Sequence, residues 1–136
     1  MRDGKTRNIR GAASGLAFSE YRQVFESSLV VLDGPAAGMR LALRRPRTVI
    51  GRGGDADLRI DDPSLSRQHA AIEYVASGGF RVRDLGSTNG VLVAGHRVDA
   101  ADLEPGDRFM LGDVEFQLLV EERDEEPEVY ELSLDV

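Results

Sequence analysis

The chain contains no cysteine and no tryptophan. The lack of cysteine excludes disulfides, thiolate metal sites and nucleophilic thiol chemistry, and it accords with a reducing compartment. Aromatic residues are few, 3 Tyr and 5 Phe, while 15 glycines are present, so a modest core and many turns are expected. No apolar run approaches a membrane span. The stretch up to Phe25 is interrupted by Ser14, Ser19, Glu20, Arg22 and Gln23, which leaves no signal-peptide core. A cytoplasmic protein with no membrane association is the expectation. At 136 residues there is room for one compact domain with tails, and too little for a catalytic domain beside a binding domain.

Charge of one sign is concentrated rather than general. Of 24 acidic and 17 basic residues, positions 121–136 take eight acids (Glu121, Glu122, Asp124, Glu125, Glu126, Glu128, Glu131, Asp135) and one base, Arg123. The tail therefore carries the whole net charge of -7, and residues 1–120 hold sixteen of each sign. A neutral body offers no overall basic face for duplex nucleic acid, so nucleic acid is not an expected partner and any anion site must be local.

What is present is a series of short apolar runs separated by turn signals, with no long helical periodicity. The expected strands are 28–32, 39–43, 48–51, 58–60, 69–74, 80–84, 91–93, 107–111 and 114–120. Turn chemistry at Asp33-Gly34-Pro35, Gly53-Gly54-Asp55, Asp61-Asp62-Pro63, Gly86-Ser87-Thr88-Asn89-Gly90 and Pro105-Gly106-Asp107 punctuates them. The pattern implies an all-β, antiparallel β-sandwich over residues 28–120. Residues 1–27 are expected to form a largely flexible extension, with one short helix suggested by the spacing of Phe18, Tyr21 and Phe25. Residues 121–136 are expected to form an acidic tail. Within it Tyr130, Leu132, Leu134 and Val136 alternate with polar residues, as in an extra strand capable of self-association.

Three loops combine turn geometry with small polar donors: Gly51-Arg52-Gly53-Gly54, Ser64-Leu65-Ser66-Arg67-Gln68-His69 and Gly86-Ser87-Thr88-Asn89-Gly90. If they meet at one end of the sandwich, Arg52 offers a planar, permanently charged fork. Ser66 and Thr88 offer hydroxyls, and Arg67 offers a second cation or a backbone N–H. Such a set suits a phosphate. Other chemistries fit less well. Ser66, His69 and Asp84 contain the letters of a hydrolytic triad but no nucleophile elbow. Asp55, Asp57, Asp61 and Asp62 lack the order of a calcium loop, and the glycine-rich loop lacks the lysine of a nucleotide P-loop. No metal, cofactor or catalytic residue is expected.

The order Gly51-Arg52, then Ser66-Arg67 with His69, then Asn89-Gly90 resembles the signature of the forkhead-associated (FHA) family. The turns Leu103-Glu104-Pro105-Gly106-Asp107 and Leu111-Gly112-Asp113 add to it. The similarity covers roughly residues 29–120, and the chain resembles small bacterial proteins built on a single FHA domain. The resemblance implies a phosphothreonine-peptide-binding adaptor that serves a Ser/Thr kinase and its phosphorylated partner. It implies phosphate contacts from Arg52, Ser66 and Arg67, with Thr88 beside the phosphothreonine and Asn89 on the peptide backbone. Gly51, His69 and Gly90 are implied as supports, and the position of Ser64 as one that influences peptide preference. A preference for threonine over serine is implied through its methyl group, worth about 1 kcal/mol when buried. The alternative is a phosphate-independent interaction protein that uses a sheet edge or its tails. Thr6, in the basic arm, is a further candidate as an intramolecular phospho-ligand.

Overall fold

The computed structural model describes residues 14–76 and 78–123. Thr6, the tail from 124 onward and its alternating segment therefore lie outside the described residues. One helix, α1 (Phe18–Val24), precedes eleven strands. These are β1 (Phe25–Val31), β2 (Arg40–Ala42), β3 (Arg47–Gly51), β4 (Leu58–Arg59), β5 (Ala70–Val75), β6 (Gly79–Asp84), β7 (Val91–Val93), β8 (His96–Val98), β9 (Ala100–Leu103), β10 (Arg108–Leu111) and β11 (Val114–Glu122).

They form two sheets, ordered β2-β1-β11-β10-β7-β8 and β4-β3-β5-β6-β9. The all-β sandwich expected from the turn spacing is the fold observed. Alternation along the strands explains the layering: in β11 Val114, Phe116 and Leu118 are buried while Glu115 and Gln117 face outward. The inner faces meet in a core of Leu29, Val31, Ile50, Ile72, Val82, Leu111, Phe109 and Phe116, all nearly inaccessible. The rings of Phe109 and Phe116, paired across β10 and β11, stack at 5.4 Å.

Three expectations need correction. First, the pairing is not wholly antiparallel, because β4 runs parallel to β3. After Gly51 the chain folds back, and the Asp57 carboxylate accepts the Val49 N–H at 2.8 Å, so Leu58 starts again beside Ile50 in the same direction. Second, β8 and β9 were not expected. Both are edge strands, and sequences such as Ala-Ala-Asp-Leu have little intrinsic strand preference, so cross-strand pairing supplies what propensity does not.

Third, the boundary between extension and sandwich does not fall at 27/28. β1 begins at Phe25, and the helix before it is part of the folded unit. Tyr21 and Phe25 are 1% and 2% exposed, in a ring cluster with Phe18, Tyr74 and Phe80. Tyr74 donates its hydroxyl to the Leu16 carbonyl at 2.8 Å, which ties the entering chain to β5. Glu20 accepts the Ala17 N–H at 2.9 Å and closes the first turn of the helix. A chain with few aromatics spends three of them between 18 and 25, and burying them orders the segment. At the other end β11 runs on to Glu122, so the first two residues assigned to the tail are ladder residues opposite Phe25 and Glu26.

The Tyr21 hydroxyl lies 2.9 Å from Ser27 Oγ, both buried, and burial pushes the phenol above its ordinary pKa. Tyr21→Phe is expected to cost about 1 kcal/mol in urea unfolding, because the ring still fills its place but Ser27 loses a partner. An unchanged midpoint would show that this bond adds nothing.

Candidate functional site

Gly51 is the last residue of β3, and the chain beyond it continues to bond to the segment leading into β5. Arg52 N–H donates to Ser66 O at 2.9 Å, Gly53 N–H to Arg67 O at 3.0 Å, and His69 N–H to Ile50 O at 2.9 Å. This approach is possible only because position 51 lacks a side chain. A Cβ there would sit 2.1 Å from the Arg67 carbonyl oxygen and 2.9 Å from that of Ser66. The two loops are zipped together by their backbones, and the side chains of 52, 66 and 67 are displayed from the same end of the sandwich.

His69 joins this pair of loops to the third. It is completely buried; Ser66 N–H donates to its Nδ1 at 3.1 Å, and its Nε2 lies 2.8 Å from Gly90 O. With Nδ1 accepting, Nε2 is the donor to Gly90 O, and both nitrogens are engaged. No ring nitrogen is left to take a proton from Ser66. Asp84, the third letter of the triad pattern, accepts both the hydroxyl and the N–H of Ser87. The polar atoms of His69 and Asp84 are thus spent on the loops themselves.

The turn after β6 is built on Ser87, which donates to Asp84 and accepts the Gly90 N–H at 2.9 Å. Gly90 has φ +85°, a left-handed conformation that disfavours a side chain. Thr88 and Asn89 are exposed at the tip. Thr88 N–H donates to Ser66 Oγ at 3.1 Å, and the Asn89 side-chain amide donates to Ser64 O at 2.8 Å. Ser66 thus receives a bond on its oxygen and retains its hydroxyl proton as a donor. Asn89 uses its NH₂ to hold the neighbouring loop and keeps its carbonyl oxygen as an acceptor.

All five residues expected to contact phosphopeptide, Arg52, Ser66, Arg67, Thr88 and Asn89, lie in this one cluster of loops. Arg52 is exposed and spends Nε on the Leu65 carbonyl at 2.9 Å, which aims the fork while leaving both terminal nitrogens free of that bond. Among the described residues neither Arg52 nor Arg67 has a carboxylate within ion-pair distance, whereas Arg40, Arg45, Arg47, Arg59, Arg81, Arg83 and Arg123 do. Guanidinium groups are left uncompensated beside small hydroxyl donors, an arrangement that suits an oxyanion.

The nearby acids have structural partners instead. Asp55 accepts from Gln68, Asp57 from Val49, and Asp62 from the hydroxyl and N–H of Ser64. The Ser64 hydroxyl and amide hold the Asp62 carboxyl below its usual range. Its folded pKa is lowered, so whatever this bond adds to stability is present above the ordinary carboxylate pKa and is lost only as pH falls through the lower, folded value.

Sequence reasoning missed several contributors. Ser87 had a local signal in its spacing from Asp84, a side-chain-capped turn. Ser64 links neighbouring loops: its hydroxyl donates to Asp62 at 2.7 Å and accepts the Asp113 N–H at 2.9 Å. Arg97, which lies against the third loop without being one of the five phosphopeptide-contact residues expected from the sequence, had no local signal, since only the pairing of β8 with β7 brings it there.

The chain is similar to known proteins in sequence and in fold. The model of the FHA domain matches residues 48–112. Over 111 residues the chain is 40% identical to the glycogen accumulation regulator GarA of Mycolicibacterium smegmatis, a match covering 81% of this chain and 63% of that protein. Over 102 residues it is 35% identical to the oxoglutarate dehydrogenase inhibitor of Corynebacterium glutamicum, covering 75% of this chain and 71% of that protein. A solved FHA domain studied for phosphothreonine-dependent interactions superposes with a TM-score of 0.62 at 34% identity, over 69% of this chain and 95% of that one. Among the described residues no helix is long and apolar enough to cross a membrane. In motif order, sandwich topology and similarity to these proteins, the chain belongs to the FHA domain family.

Proposed function

We propose that this domain binds phosphothreonine-containing segments of partner proteins generated by a Ser/Thr kinase, and that it acts through this binding without catalysing a reaction. One observation carries the reading: Arg52 and Arg67 have no carboxylate within ion-pair distance among the described residues, and they stand in the two zipped loops that carry Ser66, whose Oγ is held by Thr88 N–H. A phosphate placed there would accept the Arg52 fork and the Ser66 hydroxyl together, both charge-assisted bonds. The Asn89 carbonyl oxygen is then available to a backbone N–H of an extended peptide, which fixes the segment through its main chain. We place this activity in the cytoplasm, in keeping with the cysteine-free sequence.

The test is calorimetry with one peptide in three forms. The phosphothreonine form is expected to bind and the unphosphorylated form not to; the phosphoserine form should be about fivefold weaker, for want of a methyl group to bury. Equal binding of all three would overturn the proposal.

A second reading is supported by the two curated relatives, which are named as a regulator and an inhibitor. In it the domain controls a metabolic enzyme through a surface independent of phosphate. Retention of partners in a pull-down after phosphatase treatment would favour it.

A further inference from the structure

One cation at the loop end is not needed to hold the phosphate. Arg97 lies on β8, the edge of the six-stranded sheet, opposite Leu92 of β7. Its side chain crosses the third loop at Gly90: a Cβ at that glycine would come within 2.5 Å of Arg97 Nε and 2.8 Å of Cζ. Its Nη2 donates to the Ser87 carbonyl at 3.4 Å, a long bond that guides the guanidinium without consuming it. Among the described residues it has no carboxylate within ion-pair distance. The same turn is therefore touched by Ser66 at Thr88 and by Arg97 at Gly90.

This juxtaposition sets a distance. Thr88 and Gly90 are two residues apart, about 7 Å of chain at most, so an anion on Arg97 and a phosphate on Ser66 are within the span of one short extended peptide. Ser64, the other position expected to influence peptide choice, has its hydroxyl occupied by Asp62 and the Asp113 N–H. Arg97 is left as a cation with the reach to a flanking side chain.

We propose that Arg97 is a specificity-determining residue, giving this domain a preference for phosphothreonine segments with a second anionic group a few residues from the phosphothreonine. The proposal rests on the phosphothreonine reading above. The second anion is a carboxylate or a second phosphate, both of which a guanidinium fork can bind. The contact is solvent-exposed, so its effect is modest and screened by salt.

The experiment scans one phosphothreonine peptide with Glu, phosphoserine, Gln or Lys at each flanking position, against the wild-type protein, Arg97→Gln and Arg97→Glu, at low and high salt. At one position the wild type is expected to bind the Glu peptide about fivefold more tightly than the Gln peptide at low salt. Arg97→Gln should abolish that ratio while leaving the Gln-peptide affinity within about twofold, and Arg97→Glu should favour Lys. A larger gain from phosphoserine than from Glu would identify the second anion as a phosphate. The proposal is overturned if the wild type shows no acid preference, if the preference survives in Arg97→Gln, or if Arg97→Gln weakens all peptides equally, as loss of a turn staple would. Failure of every phosphothreonine peptide to bind the wild type removes the underlying reading, and Arg97's role with it; binding without an Arg97-dependent ratio removes the Arg97 role alone.

Discussion

Replacing Arg52 by alanine is expected to weaken binding of a phosphothreonine peptide about a hundredfold while changing folding stability by less than about 1 kcal/mol. The separation of the two effects follows from the side chain's place. Arg52 is exposed, and its one described side-chain bond is from Nε to the Leu65 carbonyl, a single hydrogen bond worth about 1 kcal/mol at most. Its backbone N–H, which zips the loops together through Ser66 O, is retained by alanine. What is lost is the pair of terminal nitrogens proposed to bind the phosphate. Arg52→Lys restores the charge but neither the fork nor the bond that aims it, so a partial loss of about tenfold is expected. Calorimetry on both variants, with thermal unfolding as the control, measures each part. Undiminished binding by Arg52→Ala would remove the phosphate from this cluster. An equal loss for phosphorylated and unphosphorylated peptides would make Arg52 a general contact.

The loop residues were legible in the sequence because each announces itself locally. Asn89-Gly90 and Gly53-Gly54 are turn devices, and a serine and arginine stand just before an alternating strand. That they converge was not legible from spacing alone. Ser66 and Thr88 lie 22 residues apart and meet because the β5–β6 hairpin brings Leu85 N–H onto His69 O at 3.0 Å. The strands with strong alternation, such as β11, were placed to within a residue or two. β8 and β9, short and at the edges, depended on partners outside their own sequence. The same dependence hid Arg97, whose position follows from a two-residue turn at Ala94-Gly95. Before β1 the short helix suggested by Phe18, Tyr21 and Phe25 is present, but its place in the folded unit was not legible, for a different reason. The segment's glycine, serine and arginine content suggests a solvated arm, but Tyr21 and Phe25 contribute enough buried ring surface to outweigh the cost of ordering it.

The second large effect is expected at a residue with no side chain. Gly51 and Gly54 stand in one glycine-rich loop, and neither adopts the left-handed backbone that would itself demand glycine. Their surroundings differ completely. A Cβ at Gly54 meets nothing within 4 Å, whereas one at Gly51 meets Arg67 O at 2.1 Å, Arg67 C at 2.7 Å and Ser66 O at 2.9 Å. The obstructing atoms are backbone and cannot rotate away, so alanine at 51 must force the strand and the 66–67 segment apart by about 1 Å or more. That strains the bonds from Arg52 and Gly53 to Ser66 and Arg67, beside a His69 already committed to both loops. Gly51→Ala is expected to cost about 3 kcal/mol or more, a fall of roughly 10–15 °C in Tm for a domain of this size. Gly54→Ala should lie within about 0.5 kcal/mol of the wild type. In molecules of Gly51→Ala that remain folded, phosphopeptide affinity should also fall by more than about tenfold, since Ser66 is displaced from Arg52 and Thr88 N–H. If the two alanine variants prove equally stable, close backbone approach is not what holds this site together, and the placement of Ser66 must have another cause.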